Sequence, residues 1–317
     1  MTDEHQRAVE PPPREGHKAA GRRTLRSSGP EQSEGCANGA QRGGGVLDFA
    51  AAADSYDSAA VLAREVGRRM AERLTVVKLA PQRFADIGCA TGDGVRELQR
   101  RYPAALPLAV DFARPMLAAV AARTGWWARQ RGRAPRCINA DVRALPLAAD
   151  SLDLVWSNLM LHWLSDPAEL RQAFAEMQRV LTAGGLLQFA MLGPDTLKEL
   201  RAAGAPTASF LDMHDIGDML VGAGFADPVM EMEMLTLTYP TPRGFLADQR
   251  RLGVRNGLLG RLGWRQWRQV FATWQRVGGL LPARFEIVYG HAWKVAPRVA
   301  PDGRAILRFH KPGTAGG

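Results

Sequence analysis

Residues 84–92 read F-A-D-I-G-C-A-T-G: a short apolar run closed by an acidic residue, opening into a turn with glycines at 88 and 92. Such a turn lets backbone come close to a bound nucleoside, because glycine reaches conformations and distances that a Cβ forbids. The stretch predicts a small-molecule cofactor site at the carboxyl end of a strand.

Outward from it, strand and helix patterns alternate. Strands are predicted over 84–88, 108–111, 152–158 and 186–192, and helices over 95–101, 115–123 and 167–181. This alternation implies an α/β fold, a parallel sheet with helices on both faces and ligands at the carboxyl ends of its strands. Ahead of the first strand, 54–74 places Val61, Leu62, Val66, Met70 and Leu74 near helical spacing, which predicts an amphipathic lead-in helix. Two late strands are predicted over 229–239 and 285–294, with 240–284 inserted between them near the sheet edge as a lid.

Composition bounds the rest. The chain has 317 residues, 46% of them hydrophobic, and no apolar run near the length of a membrane span. Residues 1–45 are rich in Gly, Pro, Ser, Arg and Glu and cannot bury enough surface to fold, so they are expected to be a disordered tail. The folded domain is expected over 46–296, followed by a second tail over 297–317. No apolar run follows the start as in a secretory signal, and Asp3, Glu4, Glu10 and Glu15 argue against a transit peptide despite nearby arginines. Cys36, Cys89 and Cys137 lack metal-ligand spacing, as do the histidines and acids, which points to a reduced, cytoplasmic compartment and no metal.

The net charge of +9 is concentrated in one segment. From 243 to 284 there are nine arginines (243, 250, 251, 255, 261, 265, 268, 276 and 284) against a single acid, Asp248. On a helical projection Trp264, Trp267, Val270, Phe271, Trp274 and Val277 share one face, while Arg261, Arg265, Arg268 and Arg276 share the other. One face is expected to dock on the body and the other to meet either solvent or a strongly acidic partner. Nucleic acid is disfavoured because no recognisable nucleic-acid module accompanies the patch, and stable membrane insertion is not expected.

Three acids define the ligand. Asp86 closes the first strand and Asp111 the second, at the offset from the glycine turn where a carboxylate meets ribose hydroxyls. Asp141 follows the place where a third strand ends and could accept from an adenine amine. The loop lacks the wider glycine set of a pyrophosphate site, which disfavours nicotinamide dinucleotides and leaves room for a phosphate-free nucleoside sulfonium.

In series, D-I-G-C-A-T-G, V-D-F-A, A-D-V-R-A-L-P-L, S-L-D-L-V-W-S-N and R-V-L-T-A-G-G resemble the motifs of class I S-adenosylmethionine-dependent methyltransferases over residues 84–192. That resemblance implies a Rossmann-like, doubly wound, mostly parallel seven-stranded sheet with an antiparallel last strand. It implies S-adenosylmethionine as methyl donor, held by Asp86, Gly88, Ala90, Gly92, Asp111, Phe112, Asp141, Val142 and Asn158. Ala90 departs from the pattern, standing where the superfamily usually has glycine, and a slightly different loop conformation is expected there.

The flanks narrow the family. A-A-A-D-S-Y-D-S-A-A, S-N-L-M-L-H-W, G-P-D-T-L-K-E-L-R, L-D-M-H-D-I-G-D-M-L and V-Y-G-H-A-W-K resemble the BioC-type malonyl-[acyl-carrier-protein] O-methyltransferases of biotin synthesis, over about 46–295. Methyltransferase-fold arginine hydroxylases that assist respiratory-complex assembly share some of these segments, and a non-catalytic donor-binding module is a third reading. The first reading implies malonyl-acyl carrier protein as an acidic partner for the arginine-rich segment. An ionised malonyl carboxylate needs alignment and dehydration rather than a general base. Arg250 is the candidate to hold it bidentately, Tyr56 to close the methyl channel, and His162 to position rather than to accept a proton. Asp215, with His214, is expected at a helix start, His291 in a strand, and Cys89 as a packing residue.

Overall fold

The computed structural model describes residues 48–130 and 132–295; the tails expected over 1–45 and 297–317 lie outside the described residues. The central sheet comprises β1 (Arg83–Ile87), β2 (Leu106–Asp111), β3 (Arg136–Asn139), β4 (Leu152–Asn158), β5 (Leu181–Leu192), β6 (Phe225–Tyr239) and β7 (Leu281–Lys294). Their order is β3-β2-β1-β4-β5-β7-β6. Pairings from β3 through β5 are parallel, and β7 runs antiparallel to both β5 and β6. The expected seven-stranded, mostly parallel sheet with an antiparallel last strand is therefore present. The order reverses between β1 and β4, where such sheets open a crevice for ligand.

Alternation along β1 and β4 sends side chains to two cores. Phe84, Leu154 and Trp156 face one side, against Val66, Met70 and Leu74 of the lead-in and Val95 and Leu98 of the next helix. Ala85, Ile87 and Val155 face the other, against Leu170, Phe174 and Met177. Both faces are covered, so these strands read as continuous apolar runs. Each fully buried large side chain contributes about 1.5–3 kcal/mol.

The helices form where caps and periodicity allow. The lead-in departs from expectation: it is α1 (Tyr56–Ala59) and α2 (Val61–Arg73), broken at Ala60 where ψ is 32°. The break turns Val61 out to 52% exposure, while Val66, Met70 and Leu74 stay buried. Next come α3 (Asp93–Arg101), α4 (Arg114–Arg123) and the short α5 (Trp126–Gln130). α6 (Pro167–Val180) has proline at its start, and the Asp166 carboxylate accepts from Ala168 N at 2.9 Å. α7 (Lys198–Ala202) precedes α8 (Met213–Gly222). The cap of α8 is Asp212, accepting from His214 N at 2.9 Å, whereas Asp215 lies within the first turn. The cap lies ahead of the expected position because Asp212 is the last residue with extended backbone.

The insertion between β6 and β7 is helical as expected: α9 (Pro242–Arg251), α10 (Arg255–Leu258) and α11 (Trp264–Thr273). Trp267, Val270 and Trp274 are buried, and the Trp274 indole donates to Pro282 O at 3.0 Å. Two placements differ from the projection: Trp264 and Val277 are 69% and 64% exposed. α11 is shorter than projected; Gly278 and Gly279, at φ 58° and 81°, turn the chain back through a Val277–Leu280 bridge. Arg276 consequently leaves the helical face and donates to Pro240 O and Gly279 O. Among the described residues no helix is long and apolar enough to cross a membrane.

Candidate functional site

The turn after β1 is built as its glycines require. Gly88 has φ 76°, and a Cβ there would lie 2.4 Å from Met160 Cγ; Gly92 has φ 88°, with Val120 Cγ2 3.0 Å from the same hypothetical atom. Ala90, between them, has φ 44°, a left-handed conformation that its own Cβ opposes.

Asp111 braces this turn from the end of β2. Its Oδ2 accepts from Ala90 N at 2.9 Å and its Oδ1 from Ala113 N at 2.8 Å. Burial raises its pKa against the pull of those two N–H groups. Asp86 is 2% exposed and is pushed up to about 8, first by burial and then by Asp111, while the Val95 N–H opposes the shift. Cys89 is buried in the core, and burial drives its thiol well above its usual range, as suits a packing residue.

An aromatic cover lies over the turn. Phe49 stacks on the half-exposed Phe112 with centroids 6.2 Å apart and meets Tyr56 edge-on at 5.8 Å. Tyr56 packs with Ala90, Ala113 and Met116, and burial followed by Asp111, Asp93, Asp57 and Asp86 raises its hydroxyl pKa. Thr91 Oγ1 donates to Asp57 Oδ1 at 2.6 Å, and Asp57 also pairs with Arg123, which donates to Thr91 O at 3.2 Å. The lead-in is thereby fastened to the glycine turn.

Beyond β3, Asp141 is exposed and Val142 is buried in the core. The Arg143 side chain and backbone N–H lower the Asp141 pKa, so an adenine amine would share that carboxylate with Arg143. Asn139 was not anticipated as a positioning residue; its Nδ2 donates to Asp111 O and Phe112 O at 3.0 and 2.7 Å. Phe49, Asp57, Thr91 and Arg123 were likewise missed, because their contacts join segments far apart in sequence.

At the end of β4, Asn158 Nδ2 donates to Ala63 O at 2.8 Å, while its Oδ1 is buried without a partner. A cleft of about 860 Å³ opens beside it, lined by Gly67, Gly94, Trp156 and Asn158 among others. His162 is buried against Trp163 and Phe210, accepts from Leu192 N through Nδ1, and is pushed down to about 3 by burial. It is packed in the core, and burial favours its neutral form. Arg250 is exposed on the last turn of α9, and the structure records no contact between it and the strand-end acids.

Asp86, Gly88, Ala90, Gly92 and Asp111 therefore converge, with Phe112 and Tyr56 above them and Asp141 and Asn158 on the flanks. These residues fit S-adenosylmethionine on two observations. The glycine cradle has no space for a Cβ, and the orphaned Asn158 Oδ1 and raised Asp86 are suited to a cationic amino-acid end.

Residues 85–189 match a protein family described as "Methyltransferase domain". The chain is 50% identical over 276 residues to a malonyl-[acyl-carrier protein] O-methyltransferase of Gallionella capsiferriformans, covering 82% of this chain and 93% of that one. It is 46% identical over 280 residues to the protein of the same name from Laribacter hongkongensis, covering 83% and 93%. Among solved structures, the YcgJ protein of Bacillus subtilis superposes with a TM-score of 0.52 at 16% identity, over 72% of this chain and 99% of that one. A putative methyltransferase of Bacillus halodurans gives 0.52 at 14% identity, over 72% and 100%. The last two likenesses concern the fold alone.

Proposed function

The chain belongs to the family of malonyl-[acyl-carrier protein] O-methyltransferases, and from that premise we propose how its residues carry the reaction. It is an S-adenosylmethionine-dependent methyltransferase that esterifies the free carboxylate of malonyl-acyl carrier protein in biotin synthesis. The identity over nine-tenths of the Gallionella protein carries this conclusion and favours it over an arginine hydroxylase or a silent binding module. The donor supplies an electrophilic methyl group on a positively charged sulfur.

The remaining work falls to the protein's own side chains. Asp111 offers its free lone pairs to ribose hydroxyls, Phe112 a flat apolar face to the adenine, and Asp141 an acceptor to its amine. Asp86 and Asn158 hold the amino-acid end. Tyr56 and Phe49 exclude water, which strips hydration from the incoming carboxylate and sharpens its alignment. No general base is required, because a malonyl carboxylate is already ionised at neutral pH. The neutral His162 is consistent with this economy.

Arg250 receives the malonyl carboxylate in a forked pair of hydrogen bonds. The exposed arginines of the insertion, Arg243, Arg261, Arg265 and Arg268, meet the acidic carrier and raise its rate of encounter. We place the enzyme in the cytoplasm, a reading supported by two free cysteines among the described residues.

Incubation with methyl-labelled S-adenosylmethionine and malonyl carrier protein tests the reading. Base-labile label on the carrier supports it, whereas label-free oxidation of a partner, or donor binding without transfer, rejects it. Arg250→Ala should weaken malonyl use more than donor binding, and equal loss of both would reject its assigned part.

A further inference from the structure

The turn from α9 to α10 is wedged into the mouth of the site. Gly253 has φ 69° and approaches the lead-in so closely that a Cβ would lie 2.6 Å from Asp48 O and from Phe49 Cα. Gly257 stands equally close to the far wall, with Trp163 Cζ3 2.6 Å from its hypothetical Cβ. Ser55 Oγ donates to Arg251 O at 2.9 Å, and the Asn256 amide donates to the Asp48 carboxylate. Residues 251–257 therefore bridge the cover that carries Phe49 and Tyr56 to Trp163, next to His162 beyond β4.

Arg255 sits in this wedge, half-buried, and its charged neighbour is another cation, Arg250. The acids that touch this turn are already engaged: Asp248 pairs with Arg251, and Asp48 accepts from Asn256. Among the described residues no carboxylate forms an ion pair with Arg255 or Arg250, and burial together with Arg250 lowers the Arg255 pKa. A half-buried guanidinium in the wedge with no ion-pair partner, and with a second cation near enough to be felt, is a cost that a bound carboxylate would remove.

We infer that Arg255, with Arg250 beside it, is the specificity residue that reads the ionised malonyl carboxylate and rejects the ester it becomes. The inference rests on the malonyl-carrier reading above. Before transfer, the carboxylate cancels the repulsion of the pair through charge-assisted bonds. After transfer the methyl sits on that oxygen, the negative charge is gone, and the pair is again uncompensated. The same two residues thus favour substrate and disfavour product, which is discrimination by an introduced penalty as well as by contact.

The test compares the full-length enzyme with Arg255→Gln and Arg255→Lys. It measures KM and kcat for malonyl carrier protein, inhibition by the malonyl methyl ester carrier, and S-adenosylhomocysteine affinity by calorimetry. Arg255→Gln should raise KM by about tenfold or more, and Arg255→Lys should recover part of it. The ratio of ester inhibition constant to substrate KM should fall toward unity in the Gln variant, while S-adenosylhomocysteine affinity stays within about twofold. An unchanged KM and an unchanged ratio would overturn the inference, as would a parallel loss of donor-site affinity, which would mark Arg255 as structural. A wild-type enzyme that leaves malonyl carrier unmethylated would instead overturn the functional reading itself.

Discussion

Raising the pH should tighten donor binding without any substitution, because Asp86 must lose a proton to meet a cation. The carboxyl is 2% exposed, takes one backbone N–H from Val95 and faces Asp111, and these surroundings place its pKa at about 8. If only the ionised form binds the donor's cationic end, apparent affinity scales with the ionised fraction, about 3% at about pH 6.5 and about 76% at about pH 8.5. Affinity for S-adenosylmethionine should therefore rise about 25-fold across that range. Calorimetry in two buffers of different ionisation heat should also register release of nearly one proton at the lower pH. Stability should move the other way. The pKa of Asp86 lies above its ordinary value of 3.8, so the folded state keeps a proton that the unfolded chain has lost, and stability falls as pH rises from 3.8 to about 8. Asp86→Asn keeps an acceptor for Val95 but removes the titration, so it should be the more stable protein near pH 8 and bind the donor weakly at every pH. Affinity that is flat with pH in the wild type, or a pH dependence that survives in Asp86→Asn, would refute the reasoning.

Gly88→Ala should lower stability by about 2 kcal/mol or more and abolish donor binding, since it combines a left-handed conformation with a collision against Met160; thermal melts and calorimetry read both. Asp57→Ala unfastens the lead-in from Thr91 and Arg123, at a cost of about 1 kcal/mol in this partly exposed setting. Stopped-flow release of donor should be several-fold faster in that variant, and an unchanged release rate would show that the fastening does not gate the site. Arg265→Glu with Arg268→Glu should raise KM for the carrier and flatten its dependence on salt, with S-adenosylhomocysteine affinity unchanged. A salt dependence identical to the wild type would move the docking surface elsewhere.

The turn at 88–92 and the strand-end acids were legible because their spacing is local, and the alternation around them implied the parallel sheet, though not the order of its strands. Less was legible wherever a contact joins distant segments. Phe49 on Phe112, and Asp57 between Thr91 and Arg123, depend on the lead-in crossing the sheet, which periodicity within 54–74 does not encode. The projection of 264–277 as one helix failed for a nearer reason: it gave no weight to Gly278 and Gly279, whose left-handed turn closes the Val277–Leu280 bridge and leaves Val277 exposed, while Trp264 stands exposed at the first position of the helix. Arg255 was counted among nine arginines but not distinguished, because its isolation from acids is a property of packing.

The wedge at 251–257 has a consequence for biosynthesis. Its contacts tie Asp48 to Asn256, partners 208 positions apart, so the enclosure is finished only after most of the polypeptide has left the ribosome. The strands β1 to β5 can assemble earlier, as nascent segments generally fold in the order they emerge. A chain truncated before residue 242 would lack both the wedge that clamps the Phe49 cover and β7, the strand between β5 and β6, so the mouth of the site closes only when the last strand is in place.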